Sequence, residues 1–517
     1  MRAILSETGF AFNATEYIAI YGNDAFLKLL KRYTIRTIDR VTKIPKTTKL
    51  YAIVKTGECK IVELPRFAST DLVADIQCQS TPIKHIETQL PKVVGIDAIQ
   101  YTGRSNPNQI IVVDHIMAGM KSAHSFYGAT IKLLAGCGKT YAAMDIIGRL
   151  RMKTLVVVPN TYLLDQWVVL LREYFPTTKI GTLYGKQKED GDIIVGIINT
   201  LAELDSFEVK EKRPWPNVGK TLRHVTTTST IKVDTLMKDV GLTIMDESQM
   251  YCSKEFRKVF KRIHSRYTIG LSATPDIRED KLDAIHQLWL GPIIDAETLP
   301  GFNKTQDVFV STAKMIEYHA EEAHCKFNIR QETGMIDYAS IVESIVNDPH
   351  RNRLIIDQIL KLMSKGLYTF VFSDRRSHLE HLYNLLERRC AQMEQSVQLE
   401  LPESDMKVIL YGGSSEDTID KAKTLGTVIF TTYPYAAVGV SITKLNALVM
   451  ATPRRSNMKQ IINRVFRLGS DASVRRIIID ICDAKLPIKG QKRERIKAYQ
   501  ERGCDIVKMR VDAPLCD

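Results

Sequence analysis

The sequence predicts an α/β fold built on two parallel sheets, preceded by a smaller N-terminal module. Three observations carry that expectation. From about residue 96 onward, short β-branched runs alternate with amphipathic stretches of helical period. The runs are apolar throughout, as parallel strands are when helices cover both faces of their sheet. There are enough of them for two sheets rather than one.

Taken in order, Leu155–Val158, Ile193–Ile198, Thr243–Met245, Thr268–Leu271, Thr369–Phe372, Val408–Leu410, Val428–Thr431, Ala447–Met450 and Arg476–Ile481 read as strands. Tyr162–Tyr174 and Ser377–Arg388 read as intervening helices. A connector is expected near residues 290–306, where two Pro and two Gly interrupt the pattern. Residues 316–363 are rich in helix formers and read as an insertion in the second sheet. Residues 1–95 lack the alternation; a helical run, Asp24–Arg36, leads into a β segment around Lys49–Val62. The expected domains are therefore 1–95, 96–298 and 299–517, in keeping with about 150 residues per domain for a 517-residue chain.

Composition narrows the function classes. Apolar residues at 44% and charged residues at 25% exclude wholesale disorder, a collagen-like fibre and a small disulfide scaffold. No apolar run approaches the roughly 18–20 residues of a membrane helix. Glu7 stands where a signal peptide would carry its apolar core, so secretion is not expected. Nine scattered cysteines without a CxxC pair fit a reducing, intracellular setting, and His324–Cys325 reads as a surface pair rather than a metal site. The chain carries 72 Lys and Arg against 59 Asp and Glu, a net +13, and the excess is uneven. Residues 451–510 hold 16 basic and 6 acidic side chains, and residues 28–49 hold eight and one. Such clustering points to a polyanion partner, or to a merely solvated face.

The strongest local motif is Gly136-Cys137-Gly138-Lys139-Thr140, between the apolar Ile131–Ala135 and the helical YAAMDIIGRL. Glycines let backbone amides wrap phosphate oxygens, and the helix N-terminus adds its dipole. Lys139 would reach the β- and γ-phosphates and Thr140 would hold Mg2+. Leu133 replaces the first Gly of a strict P-loop. A second Gly-Lys-Thr, Gly219–Thr221, lacks a preceding apolar strand and reads as a loop. In Leu-Thr-Ile-Met-Asp-Glu-Ser-Gln, residues 242–249, an apolar strand ends in two carboxylates. Asp246 could hold Mg2+ and Glu247 could deprotonate an attacking water; the plainer alternative is the acidic first turn of a helix. Ser272 and Thr274, in residues 267–275, stand at another strand tip, where they sense phosphate state or simply form a Ser/Thr turn before Pro275.

GCGKT, DESQ and SATP, in this order and spacing, resemble the superfamily 2 helicases of DEAD/DEAH-like kind, over roughly residues 96–510. Residues 155–167 resemble motif Ia, 197–200 motif Ib, 369–386 motif IV, 431–442 motif V and 460–469 motif VI. The layout is most similar to helicases of large cytoplasmic DNA viruses, the poxvirus transcript-release and asfarvirus types, themselves similar to the XPB branch. The resemblance implies two tandem RecA-like domains that clasp ATP between them, with nucleic acid held mainly through its backbone. It implies that Gln109 reads adenine, and that Gln460, Arg464 and Arg467 face the γ-phosphate. It further implies that Gln249, Ser272, Thr274, Thr432 and Gly439 couple nucleotide to nucleic acid. Read without the resemblance, Gln109 is an exposed loop amide, and Arg464 and Arg467 are an i,i+3 pair on a solvated basic helix. Gln249, Ser441 and Asn463 depart from the usual His, Asp and Gly of their motifs. The expectation is an ATP- and Mg2+-dependent motor on DNA or RNA, with viral transcription as its setting, in host cytoplasm or virion. Two alternatives stay open: a duplex translocase or transcript-release factor that does not separate strands, and a non-catalytic nucleic-acid-binding scaffold.

Overall fold

In the computed structural model, the described residues are 2–6, 9–38, 45–57, 59–68, 85–89, 94–121, 128–133, 137–185, 187–203, 206–214, 224–232, 239–253, 256–262, 265–275, 282–303, 309–331, 334–397, 406–411, 414–433, 435, 442, 444–454, 458–466 and 470–513. The chain divides into two compact units, one of Met1–Leu134 with Gly138–Lys304 and a second built on Thr305–Asp517.

The N-terminal part of the first unit carries strands β1 (Arg2–Ser6), β2 (Phe10–Asn13), β3 (Thr34–Ile38), β4 (Pro45–Lys49), β5 (Ala52–Thr56), β6 (Cys59–Leu64) and β7 (His85–Gln89). Five form a sheet in the order β5-β6-β2-β1-β7, antiparallel except for β1 with β7, while β3 and β4 pair as a separate ribbon. Asn13 caps the helix Ala14–Tyr21 by accepting from Thr15 N at 2.8 Å. Gly22, at φ +85°, turns the chain into the helix Asn23–Arg32. That helix ends at Arg32, not at Arg36, which lies in β3. Phe10, Phe12, Tyr17, Phe26, Leu29, Tyr33, Val62 and Leu64 form the core. The module is fastened to the rest of its unit. Buried Arg66 donates to the Ser265 carbonyl at 2.8 Å and to that of Arg266, and Phe67 N donates to Leu288 O at 3.0 Å.

The first large sheet uses β8 (Gly128–Lys132), β9 (Thr154–Val158), β10 (Ile180–Tyr184), β11 (Gln187–Lys188), β12 (Ile193–Ile197), β15 (Leu242–Asp246), β16 (Tyr267–Ser272) and β17 (Ile293–Asp295); β13 (Ser206–Pro214) and β14 (His224–Lys232) form a separate antiparallel hairpin. The sheet order is β11-β10-β12-β9-β15-β16-β8-β17, parallel but for the β10–β11 hairpin. The central strands β9, β12 and β15 are buried at every position, as their unbroken apolar runs require. The strand before the glycine loop stops at Lys132, earlier than the apolar stretch Ile131–Ala135 suggests.

The second unit contains β18 (Ser311–His319), β19 (Thr369–Ser373), β20 (Met406–Leu410), β21 (Gly426–Thr432), β22 (Ala447–Met450), β23 (Arg476–Asp483) and β24 (Asp505–Asp512). Their order is β20-β21-β19-β22-β23-β18-β24 and every pair is parallel. The stretch 316–363 is thus no insertion: β18 lies inside the sheet, and the helices Tyr338–Val346 and Pro349–Met363 follow it. Buried ion pairs join Arg351 to Asp483 at 2.7 Å and Arg495 to Asp480 at 2.8 Å. Arg495, one of the 16 basic residues counted between 451 and 510, is therefore neutralised in the core, whereas Arg493 and Lys497 are exposed. Among the described residues no helix is long and apolar enough to cross a membrane.

Candidate active site

The carboxyl ends of β8, β15 and β16 in the first large sheet build the site, where open α/β sheets bind ligands. After β8 the chain reaches Gly138, which caps the helix Lys139–Leu150 in the left-handed region, φ +82°. A Cβ at Gly138 would sit 2.1 Å from Gln109 Nε2. That amide donates to Gly138 O at 3.2 Å, while Gln109 Oε1 accepts from Asn106 N at 2.8 Å and Asn106 Oδ1 accepts from Gln109 N at 2.9 Å. Gln109 is thus a buried residue of the helix Pro107–Lys121, not a loop amide. The helix after Gly138 has no acid in its first turn, so the positive end of its dipole is uncompensated. Lys139 Nζ donates to Leu133 O at 3.3 Å, and Leu133 N donates to Ser272 O at 3.2 Å. Cys137, Lys139 and Thr140 are half-buried beside one another. On the same helix, Asp145 ties Ser105 Oγ at 2.7 Å and Arg149 Nε at 2.8 Å. Gly136 lies outside the described residues.

The acidic motif is a strand end that leads directly into a 3-10 helix, Ser248–Cys252, with Glu247 at its N-cap. Asp246 closes β15 and is buried. Its Oδ2 accepts from Trp167 Nε1 at 2.9 Å and its Oδ1 from Glu247 N at 2.9 Å. Burial first, then the Glu247 charge, push the Asp246 carboxyl up to about 6; the Trp167 hydrogen bond, the Lys139 charge and the Glu247 amide pull the other way. Glu247 itself sits at φ +49°, a left-handed conformation costing a non-glycine residue about 1–3 kcal/mol. Tyr251 buttresses this turn from below, its hydroxyl 2.6 Å from Asp246 O and 3.0 Å from Val157 O. So does a buried relay. Ser248 Oγ donates to Leu271 O at 3.1 Å and lies 2.6 Å from His286 Nε2. His286 Nδ1 lies 3.4 Å from Thr130 Oγ1.

Gln249 and Ser272 join the two strand ends. Gln249 Nε2 donates to Glu247 Oε2 at 2.7 Å, Ser272 Oγ donates to Gln249 Oε1 at 2.6 Å, and Thr274 N donates to Ser272 Oγ at 3.0 Å. Lys139, Leu133, Ser272, Gln249, Glu247 and Asp246 are therefore linked in one chain of hydrogen bonds, here called the circuit, and the Lys139 charge favours ionised Asp246. Thr140 and Asp246 offer the hard oxygen donors that suit Mg2+. Among the described residues no group of three His, Cys, Asp or Glu could hold a metal ion by itself. A cation here would share its shell with phosphate and water, the usual habit of Mg2+.

The family model described as type III restriction enzyme, res subunit, matches residues 103–277, the segment that holds this whole circuit. A protein of African swine fever virus named "Putative ATP-dependent RNA helicase" is 29% identical over 424 residues, 77% of this chain and 73% of its own length. Over most of its length the chain is thus similar to viral proteins named as helicases. An Acanthamoeba polyphaga mimivirus protein of the same printed name is 24% identical over 81% of this chain and 72% of its own. A "Putative helicase" of Invertebrate iridescent virus 6 is 23% identical over 78% and 82%. The solved structure of S. cerevisiae Dbp5 bound to RNA and ADP BeF3 aligns at TM-score 0.48 and 12% identity, covering 81% of this chain and 96% of that one.

The remaining expected residues belong to the stretch of the second unit. Thr432 ends β21 and is half-buried. Gln460 is on the short helix Met458–Ile462, and Arg464 is in the 3-10 turn Asn463–Val465, half-buried rather than on a solvated helix. Asn463, in place of the motif glycine, is buried. Arg467 and Gly439 lie outside the described residues. Sequence reasoning missed Asn106, Trp167, Tyr251 and His286. Trp167 sits in the motif Ia run, but no spacing rule marks its indole as a partner of Asp246.

Proposed function

We propose that the chain is an ATP- and Mg2+-dependent nucleic-acid motor, a helicase or translocase of the superfamily 2 type. The circuit from Lys139 to Asp246 carries the reading, because it brings a phosphate-binding cation, a buried carboxylate and an adjacent second carboxylate to one sheet edge. A triphosphate at the start of the helix Lys139–Leu150 meets the backbone of Gly136, Cys137 and Gly138. Lys139 gives up the Leu133 carbonyl for phosphate oxygens. Gln109 is assigned to the adenine side, where its amide already fixes Gly138. Thr140 and Asp246 would hold Mg2+, which when bound neutralises charge on the phosphates. Glu247 takes the proton of the attacking water, its carboxylate oriented by Gln249. Gln460, Arg464 and Arg467 are assigned to the γ-phosphate, whose oxygens a guanidinium fork matches. Thr432, Gly439, Ser272 and Thr274 are assigned to coupling.

On this reading 1–95 is an accessory module, 96–298 the ATP-binding domain and 299–517 the C-terminal helicase domain. The site of action is intracellular, in the transcription of a large DNA virus, and the relatives' names make RNA the first substrate to test. ATP hydrolysis is measured with single- and double-stranded DNA and RNA, for the parent and for Lys139→Ala. Stimulation by at least one nucleic acid, reduced 100-fold or more in the variant (about 3 kcal/mol of transition-state binding), is the expected result. Identical rates with all four nucleic acids and with none would sink the motor.

A further inference from the structure

Exposed basic residues of the N-terminal module lie on two joined elements, the helix Asn23–Arg32 and the β3–β4 ribbon. The helix Asn23–Arg32 buries Phe26 and Leu29 and exposes Lys28 and Lys31. It passes through buried Tyr33 into β3, and Leu50 N donates to Tyr33 O at 2.9 Å, so the helix end and the base of the β3–β4 ribbon are continuous. The ribbon has two faces. Ile35 opposes Thr48 in register; Ile35 packs on the core of the first large sheet and Thr48 is buried. On the other face Thr34 opposes Lys49 and Arg36 opposes Thr47, and Arg36, Thr47 and Lys49 are exposed. Lys49 lies 6.0 Å over the Tyr51 ring. Elsewhere in the module, exposed Lys55 and Lys60 face each other directly across β5 and β6. Like charges so opposed weaken a sheet, so local stability does not explain them.

We propose that Lys28, Lys31, Arg36 and Lys49 bind the sugar–phosphate backbone of double-stranded nucleic acid, a second contact outside the ATP-bearing sheet. The inference rests on the motor reading for the identity of its polyanion. Duplex is favoured over single strand on two grounds. No aromatic ring of the module is exposed among the described residues, whereas single-strand platforms stack bases on aromatic rings. A two-stranded ribbon also has the dimensions that the major groove of B-form DNA admits. Eight basic residues against one acid between residues 28 and 49 supply the field.

The test uses the full chain with Lys28, Lys31, Arg36 and Lys49 all changed to Gln. Anisotropy of a labelled duplex and of its single strand is titrated over a range of salt. The expected result is duplex affinity lower by at least about tenfold and a log–log salt slope smaller by about 3 to 4, near 0.9 for each phosphate no longer neutralised. Single-strand binding changes little. Gln at Lys361, Lys365, Arg388 and Arg389, equally exposed and equal in charge, leaves the duplex slope unchanged. An unchanged slope in the first variant overturns the site, and an equal loss on single strand overturns the duplex assignment. If the fourfold variant melts early, Arg36→Gln alone carries the test with a slope change of about 1. A parent without ATPase activity sinks the motor reading, whereas anisotropy alone decides the ribbon.

Discussion

Glu247 is held by three constraints at once: a left-handed backbone, an amide hydrogen bond to Asp246 and a side-chain bond from Gln249. A residue kept in that conformation is over-determined by its surroundings, as strained functional residues commonly are. Glu247→Gln preserves shape and removes only the base. Turnover is expected to fall by about 10²- to 10⁴-fold, with ATP binding retained. Single-turnover hydrolysis beside nucleotide titration checks this, and parental turnover in the variant would remove Glu247 from the chemistry. Asp246, by contrast, has its two carboxylate oxygens occupied by Trp167 and by the Glu247 amide, and burial rather than neighbouring acid is the main force on its proton.

The glycine loop and its helix act as one element. Gly138 tolerates no side chain, because its φ is +82° and Gln109 Nε2 fills the space a Cβ would take. Gly138→Ala is expected to abolish nucleotide binding and to lower stability by about 1–2 kcal/mol from the backbone alone. Calorimetric titration with Mg-ATP and a urea melt check the two halves of that statement. Tight nucleotide binding by the variant would contradict the role given to the loop. The motif GCGKT and the helix after it were legible in the sequence, because short-range sterics and hydrophobic period define them, whereas the strand before them stops at Lys132, short of the apolar run. The Gln109 clamp was not legible, because a partner 29 residues away leaves no local signal.

At the scale of the molecule, stability is tied to pH through buried His378. Its Nδ1 lies 2.9 Å from Ser373 Oγ and its Nε2 2.8 Å from Asn352 Oδ1. Burial, then Arg351 and His381, push its pKa down to about 3. The folded chain thus keeps His378 neutral where the unfolded chain protonates it, below about 6.5. The unfolded state then binds more protons, so stability is complete above that value and declines as pH falls from 6.5 toward 3. Between pH 6.5 and 4.5 the loss is roughly 2 kcal/mol. Urea melts across this window should show His378→Gln with a flatter dependence than the parent; parallel curves would show that other groups govern the acid limb.

The sequence by itself determined the α/β class, the fully buried central strands β9, β12 and β15 of the first sheet, most strands of the second, and the glycine and acidic motifs. Each follows from local rules: unbroken apolar runs, glycine at a phosphate turn, carboxylates at a strand end. Only the tertiary structure decided that β18 belongs inside the second sheet and that Arg351 and Arg495 are core residues. It also decided that the N-terminal module is a five-stranded sheet with a basic ribbon, and that Gln249 links Glu247 to Ser272. Those outcomes depend on partners far apart along the chain. A charge is buried only when its counter-charge arrives, and an edge or antiparallel strand shows its pattern only beside the strand it pairs with.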